Sequence, residues 1–254
     1  DITVRETGDI IVQQVNFNST LSPVLDASLS DLTTTDNGPI KLVAGGPITL
    51  ADGATGSMHG NNGLSVRADG TGDILVHATV GNLVVNSDVM SDTGHITLTA
   101  AALLDLNADV LTGGAGTVLL TGGTGIDMQS GTSVTTGGGN VHLNATVGDV
   151  LLGLVNAGTG AVSIEAENDI LDNNGGGTVN VQAGTLRMVA DSDGDTNGSI
   201  GASDTLNGAA SNDNAIDTAV DVLAAQAADG IYILEADDIT VRETGDIIVQ
   251  QVNF

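Results

Sequence analysis

Four oxygen-bearing side chains alternate along one stretch of the chain. Asp191, Asp193, Asp195 and Asn197 stand at every second position of DSDGDTNG. Calcium takes roughly six to eight oxygen ligands on a flexible loop, and carboxylates at this spacing supply them. An EF-hand loop would carry a glutamate at its twelfth position, where Ala202 stands here. The stretch is therefore either a calcium-binding loop, with Ca²⁺ as candidate cofactor, or an acidic turn that closes a structural repeat.

A second stretch, GGTGIDMQS at 122–130, partly matches the calcium-binding nonapeptide of β-helices. Its first six positions fit, but its large apolar residue, Met128, comes one place too early. Sites of that type also share each ion between successive turns, and this motif is not repeated. We interpret it as a corner followed by a strand.

The histidines show no pattern of ligands. His77, His95 and His142 occupy outward positions of predicted strands, and His59 lies apart from them. No cysteine accompanies them, and no carboxylate stands at ligand spacing, so zinc binding has little support. We interpret His77, His95 and His142 as solvated residues on the outer face.

Catalysis is the least favoured function. Some β-helices cleave polysaccharides, using clustered carboxylates beside aromatic platforms for the sugar rings. This chain has one Tyr, two Phe, no Trp and five basic residues. Its many carboxylates form no pair with a defined catalytic geometry. We predict that the protein is not an enzyme, and a polysaccharide-active enzyme is the second alternative.

The elements that must position these residues repeat along the chain. GHITLTA, GTVLLTG, GNVHLNA and GAVSIEA begin at 94, 116, 139 and 160. Each block has aliphatic residues at period two, as in a half-buried strand. Two further apolar pairs follow each block, so about 22 residues hold three short strands, too few for a βαβ crossover. The pattern predicts an all-β fold, a right-handed parallel β-helix (β-solenoid) with three strands per rung of about 22 residues.

Composition agrees with that fold and excludes several functions. Aromatic residues make up 1% of the chain, so its core must consist of aliphatic ladders. The net charge of −27 argues against nucleic-acid binding and is expected to attract divalent cations. No apolar run approaches the ~18 residues that a membrane span needs. Without cysteine, a secreted chain would depend on stacked hydrogen bonds rather than disulfides.

The two ends of the chain carry the same sequence. DITVRETGDIIVQQVNF occupies 1–17 and recurs unchanged at 238–254. We predict a single solenoid array over 1–254, made of one 237-residue tandem repeat and a 17-residue overlap. At ~22 residues per rung, the repeat would hold about ten or eleven rungs and rise roughly 50 Å.

Three segments depart from the regular blocks. Residues 191–214 are polar and rich in glycine, which predicts an irregular loop or a lateral excursion. Residues 215–229 fit a short helix or strands, and we favour strand after Thr218. Phe17 and its copy Phe254 are candidates for a corner or for a contact between repeats.

The blocks of form Gly–x–aliphatic–x–aliphatic–x–Ala resemble the repeats of filamentous haemagglutinin-type adhesins. The segment DTAVDVLAAQAADGIYILEADDITV is similar to a module of giant bacterial β-strand-repeat surface proteins. The resemblance implies a structural or adhesive role at the cell surface or outside the cell. We expect a repeat unit of a surface fibre or filament whose partners are copies of itself and other cell-surface components. The alternative is an adhesin module that binds a surface or a glycan.

Overall fold

The protein is described here from a computed structural model that covers residues 1–13, 31–52, 63–203 and 214–253. His59, Phe17 and Phe254 lie outside the described residues, so the expectations for them stay predictions. Among the described residues there is no helix, and so none that could cross a membrane. The strands are β1 (Ile2–Glu6), β2 (Ile10–Val12), β3 (Leu32–Thr34), β4 (Ile40–Ala44), β5 (Ile48–Leu50), β6 (Leu64–Ala68), β7 (Ile74–Ala78), β8 (Leu83–Val85), β9 (Asp88–Ser91), β10 (Ile96–Ala100), β11 (Leu103–Leu106), β12 (Val110–Thr112), β13 (Val118–Gly122), β14 (Gly125–Met128), β15 (Ser133–Thr136), β16 (Val141–Ala145), β17 (Val150–Leu152), β18 (Leu154–Asn156), β19 (Ala161–Ala166), β20 (Ile170–Asp172), β21 (Val181–Val189), β22 (Ser199–Ile200), β23 (Ile216–Gln226), β24 (Gly230–Ile231), β25 (Ile233–Glu235) and β26 (Thr240–Val241).

The strands form three rows, and each strand pairs in parallel with its counterpart one turn further on. The first row is β1, β4, β7, β10, β13, β16, β19, the second halves of β21 and β23, and β26. The second row is a 9-stranded sheet from β2 to β24. The third row runs from β3 to β25 and joins the first in a 17-stranded sheet, because β21 and β23 pass through the corner between them. The predicted fold class, an all-β parallel β-helix, is confirmed.

Apolar side chains stack in register inside the coil. Leu98 pairs with Leu120, and Leu120 pairs with Leu143, each with 0% exposure. A fully buried leucine is worth about 1.5–3 kcal/mol, so a column of such residues holds neighbouring rungs together without aromatic residues. The small residue that ends each block also stacks in a buried column. Ala100 and Ala145 are buried in one column where the first row turns into the second.

The leading glycine of each block lies against the backbone of the previous rung. A Cβ built on Gly94 would be 2.2 Å from the carbonyl oxygen of Gly72, and one on Gly139 would be 1.9 Å from that of Gly116. These contacts are too close for any side chain. The glycine that opens the block is therefore required by the stacking of rungs at this corner.

The described strands form nine complete rungs, whereas we expected ten or eleven. In the regular region, Ile74, Ile96 and Val118 are paired across rungs 22 residues apart, as predicted. Elsewhere the pairs Ile2 with Ile40 and Leu186 with Leu223 are 38 and 37 residues apart. Because those two rungs contain more residues than the regular ones, the described strands complete nine rungs before β26. At the strand spacing the nine rungs rise roughly 43 Å.

Several segments fold differently from the simple block pattern. Parts of two successive blocks, GTVNVQA at 177–183 and GTLRMVA at 184–190, form one strand, β21 (Val181–Val189), which belongs to the third row and then to the first. Residues 215–229 contain a strand and no helix: β23 begins at Ile216, three residues before the predicted start at Ala219. GIYILEA is divided between β24 and β25 because a corner falls at Tyr232. The irregular segment 191–214 contains a short strand, β22, that continues the second row.

Candidate metal centre and the solenoid edges

Three of the four candidate calcium ligands lie together. The corner between β21 and β22 brings carboxylate oxygens of Asp191, Asp193 and Asp195 within 4.8 Å of one another. Asp191 is half-buried and the other two are exposed. Asn197 is engaged differently, because its Nδ2 donates to Asp195 Oδ2 at 3.0 Å.

The loop backbone holds these carboxylates in place. The N–H groups of Thr196, Asp195 and Asn197 each donate, at 3.1 Å, to the Oδ1 of Asp191, Asp193 and Asp195 respectively. The ion pairs of Arg67 with Asp92 and of Arg187 with Glu165 lie elsewhere. Three carboxylates so close repel one another, and a divalent cation coordinated by their oxygens would remove that repulsion. The calcium loop and the acidic turn both fit this geometry, and calcium binding stays a prediction.

The nonapeptide-like stretch is a corner followed by a strand, as we interpreted it. Gly125–Met128 form β14, and Asp127 points outward in register with Asp105 of the preceding rung. Burial, and after it the charge of Asp105, raises the pKa of Asp127 above its ordinary value. The Oδ1 atom of Asp105 is buried and accepts no hydrogen bond from the described residues. Sequence reasoning missed this pair, whose only signal is an aspartate at the same place in two successive rungs.

The histidines hold outward positions, but they are only partly exposed to solvent. His77, His95 and His142 are all half-buried. His95 Nδ1 lies 2.9 Å from Thr117 Oγ1, in the next rung. Burial lowers the pKa of His77, and burial is also the main cause that lowers the pKa of His142. The interpretation as solvated residues was wrong because residues 243–253 cover part of this face, as described below.

Many acidic residues connect one rung to the next. Asp73 Oδ1 accepts from the backbone N–H of His95 at 2.8 Å, and Asp149 Oδ1 accepts from that of Asp169 at 3.1 Å. Asn107 Nδ2 donates to Asn86 Oδ1 at 3.0 Å, a pairing of asparagines from successive rungs of the kind that stacked strands form. Short acceptors at strand starts thus satisfy backbone donors that the corner leaves unpaired. Part of the high acidic content is structural.

Both ends of the described coil present strand edges. β1 pairs with β4 on one side, and in the described residues no strand pairs with its other side. At the far end, β26 lies on β23, with Thr240 opposite Val222 and Val241 opposite Leu223. Val241 is the copy of Val4, which lies opposite Leu42 at the near end. The same valine therefore meets Leu223 in one copy and Leu42 in the other.

Comparison with families of known proteins, with curated proteins and with solved structures finds no match to this chain. The class that the fold defines is the parallel β-helix.

Proposed function

We propose that the chain is a structural repeat unit of an extracellular bacterial surface fibre, continued end to end by tandem copies. The observation that carries this proposal is the duplicated segment. Its first copy opens the coil as β1, and its second copy begins a tenth rung on β23. A chain in which 237-residue units follow one another would keep this valine on the inner face, between Leu223 and Leu42. Leu223 continues the column of Ile40, so the second copy is displaced by two residues from the column of Leu42.

The mechanism is mechanical. Parallel backbone pairing, the apolar columns and the corner acceptors all act between neighbouring rungs, so each added unit lengthens the rod and makes the same contacts again. Tandem continuation also covers the strand edges, which would otherwise pair with other chains. The partners of the unit are thus copies of itself, and other cell-surface components would contact the sides of the rod. The location proposed is extracellular or at the cell surface.

Chains of one, two and three units, measured by small-angle X-ray scattering, test this proposal. Each unit is expected to add roughly 43 Å of length, that is nine rungs at the strand spacing, at constant cross-section. A two-unit chain that behaves as two bodies joined by a flexible segment would refute the proposal. The one-unit chain serves as the control for cross-section.

An adhesin module is the second candidate, and one observation favours it. The three longest connectors between described strands, which follow Val12, Leu50 and Ile200, all join the second row to the third. The described strands that these connectors link therefore face the same corner of the coil. Replacing the connector after Val12 by the short corner between β8 and β9 would abolish surface binding by an adhesin and leave the length of the rod unchanged. Unchanged binding would contradict an adhesive role for that connector.

A further inference from the structure

The duplicated segment has two conformations in this protein. In the first copy, Ile2–Glu6 pair with β4 over five residues, and Ile10–Val12 pair with β5. In the second copy, pairing ends early: β26 holds two residues, and the N–H of Arg242 donates to the carbonyl oxygen of Leu223 at 3.1 Å. Residues 243–253, which we name the strap, then leave the coil.

The strap runs back across the outer face of the first row. Asn140 Nδ2 donates to the carbonyl oxygen of Ile248 at 2.8 Å. The N–H of Gln250 donates to Thr117 Oγ1 at 2.9 Å, and the N–H of Val252 donates to Thr97 Oγ1 at 2.9 Å. Asn140, Thr117 and Thr97 belong to successive rungs, so the strap lies along the coil axis and points toward the first rung.

Contact with the strap explains why some outward-pointing side chains of the first row are buried, although this face would otherwise be exposed to solvent. Leu75 and Thr97 point outward from β7 and β10, yet their exposures are 5% and 1%. Val252 of the strap is 6% exposed on this face. A cavity of about 390 Å³, lined by Leu75, Thr97 and Val252 among others, remains between the strap and the face. The outer face beside Leu75 and Thr97, which we name the groove, therefore holds an extended segment through one aliphatic side chain.

Other residues of the duplicated segment are more buried in the first copy, where the segment forms a rung, than in the second copy. Val4 is half-buried in β1, although no rung of the described part of the chain lies beneath it, whereas its copy Val241 is 74% exposed. Val12 is 7% exposed, whereas its copy Val249 is only half-buried. A following rung would cover these valines and pair their backbone on both sides. The strap is therefore the better state only where no rung follows.

We propose that the strap is an exchangeable element. It docks in the outer groove where a unit has no successor, and it enters the next rung where a successor follows. This inference rests on the proposed tandem function and adds a second consequence: the groove beside Leu75 and Thr97 is covered at a free end and open at every internal joint. The two states exclude each other, because the same residues supply both.

The absence of cysteine from the chain gives a direct test. A Thr97→Cys, Val252→Cys variant offers one possible disulfide, and it forms only if the strap is docked. We expect the crosslink within the 254-residue chain. The two-unit chain consists of residues 1–237 followed by residues 1–254. In this chain we expect the disulfide when both cysteines are placed in the second unit, whose strap lies at the free end. The crosslink should be almost completely lost when the second cysteine is placed in the copy at the joint.

A single-cysteine variant supplies the opposite readout. Val241→Cys is expected to react quickly with a thiol reagent in the 254-residue chain and to be protected at the joint of the two-unit chain. Efficient crosslinking at the joint, equal labelling in both chains or crosslinks between molecules would overturn the inference. Scattering from the same two-unit chain separates the two proposals. A continuous rod that also crosslinks at the joint would refute only the exchange, whereas two separate bodies would refute the tandem function.

Discussion

Replacing Gly139 by alanine should disturb the stacking of rungs more than its size suggests. The new Cβ would lie 1.9 Å from the carbonyl oxygen of Gly116 and 2.6 Å from its carbon, so the two backbones must separate by more than about 1 Å. The hydrogen bond from Val118 N–H to Asn140 O, 3.0 Å long, joins the same two rungs and would be stretched. Overpacking costs about 1–3 kcal/mol, and a lost buried hydrogen bond costs a similar amount.

We therefore expect Gly139→Ala to lower the free energy of unfolding by about 2–4 kcal/mol. For a chain of this length the melting temperature would fall on the order of 10 °C, measured by circular dichroism. Gly8→Ala is the matched control, because nothing lies within 4 Å of a Cβ at that position. It should be neutral or stabilising by about 0.4–1 kcal/mol. Equal melting temperatures for the two variants would refute the account of the glycine column.

Three further predictions concern ionisable groups. Asp127→Asn should raise the melting temperature at pH 7 by an amount equivalent to roughly 0.2–1 kcal/mol, because it removes a like-charge pair. The raised pKa of Asp127 means that the folded protein loses stability as pH rises through that pKa. Asp127→Asn should therefore have little effect below the ordinary pKa of 3.8. An equal gain in melting temperature at pH 3 would contradict this reasoning. Because the pKa of His142 is lowered, the histidine contributes stability above its ordinary pKa of 6.5, and this stability is lost as pH falls below that value. His142→Asn should therefore flatten the dependence of melting temperature on pH in this range. An unchanged slope would exclude His142 as the source of the pH dependence. If the acidic loop binds calcium, a chelator should lower the melting temperature of the parent protein but not of Asp193→Asn, whereas no chelator effect on the parent would leave only the acidic turn.

Periodicity carries most of the fold. The spacing of the blocks predicts the three rows, the columns such as Leu98 with Leu120, and the length of the regular rungs, because each is a local consequence of alternation and of a fixed coil circumference. The predicted number of rungs was too high because the length of the repeat was divided by 22, whereas some rungs contain more residues, such as the 38 residues that separate Ile2 from Ile40. The strand β21 was not expected as one element, because the leading glycine of a block usually stands before a new strand, whereas Gly184 lies inside β21.

The candidate sites show where sequence reasoning ends. Alternating aspartates predict the cluster at Asp191, Asp193 and Asp195, since neighbours in one loop cannot be far apart. The strap could not be predicted, because residues 1–17 and 238–254 are identical and only their surroundings differ. His142 lines a pocket together with Gly245, Asp246 and Ile247 of the strap, so its surroundings were missed for the same reason.

The most direct test of the central claim is a structure of the two-unit chain by electron cryomicroscopy, read at the joint between the units. The account predicts that the shared segment lies in one continuous coil, paired with β23 of the first unit on one side and with β4 of the second unit on the other. Its valine, the one numbered both 4 and 241, should lie between Leu223 and Leu42. A joint in which the segment leaves the coil and the two units point in unrelated directions would contradict it.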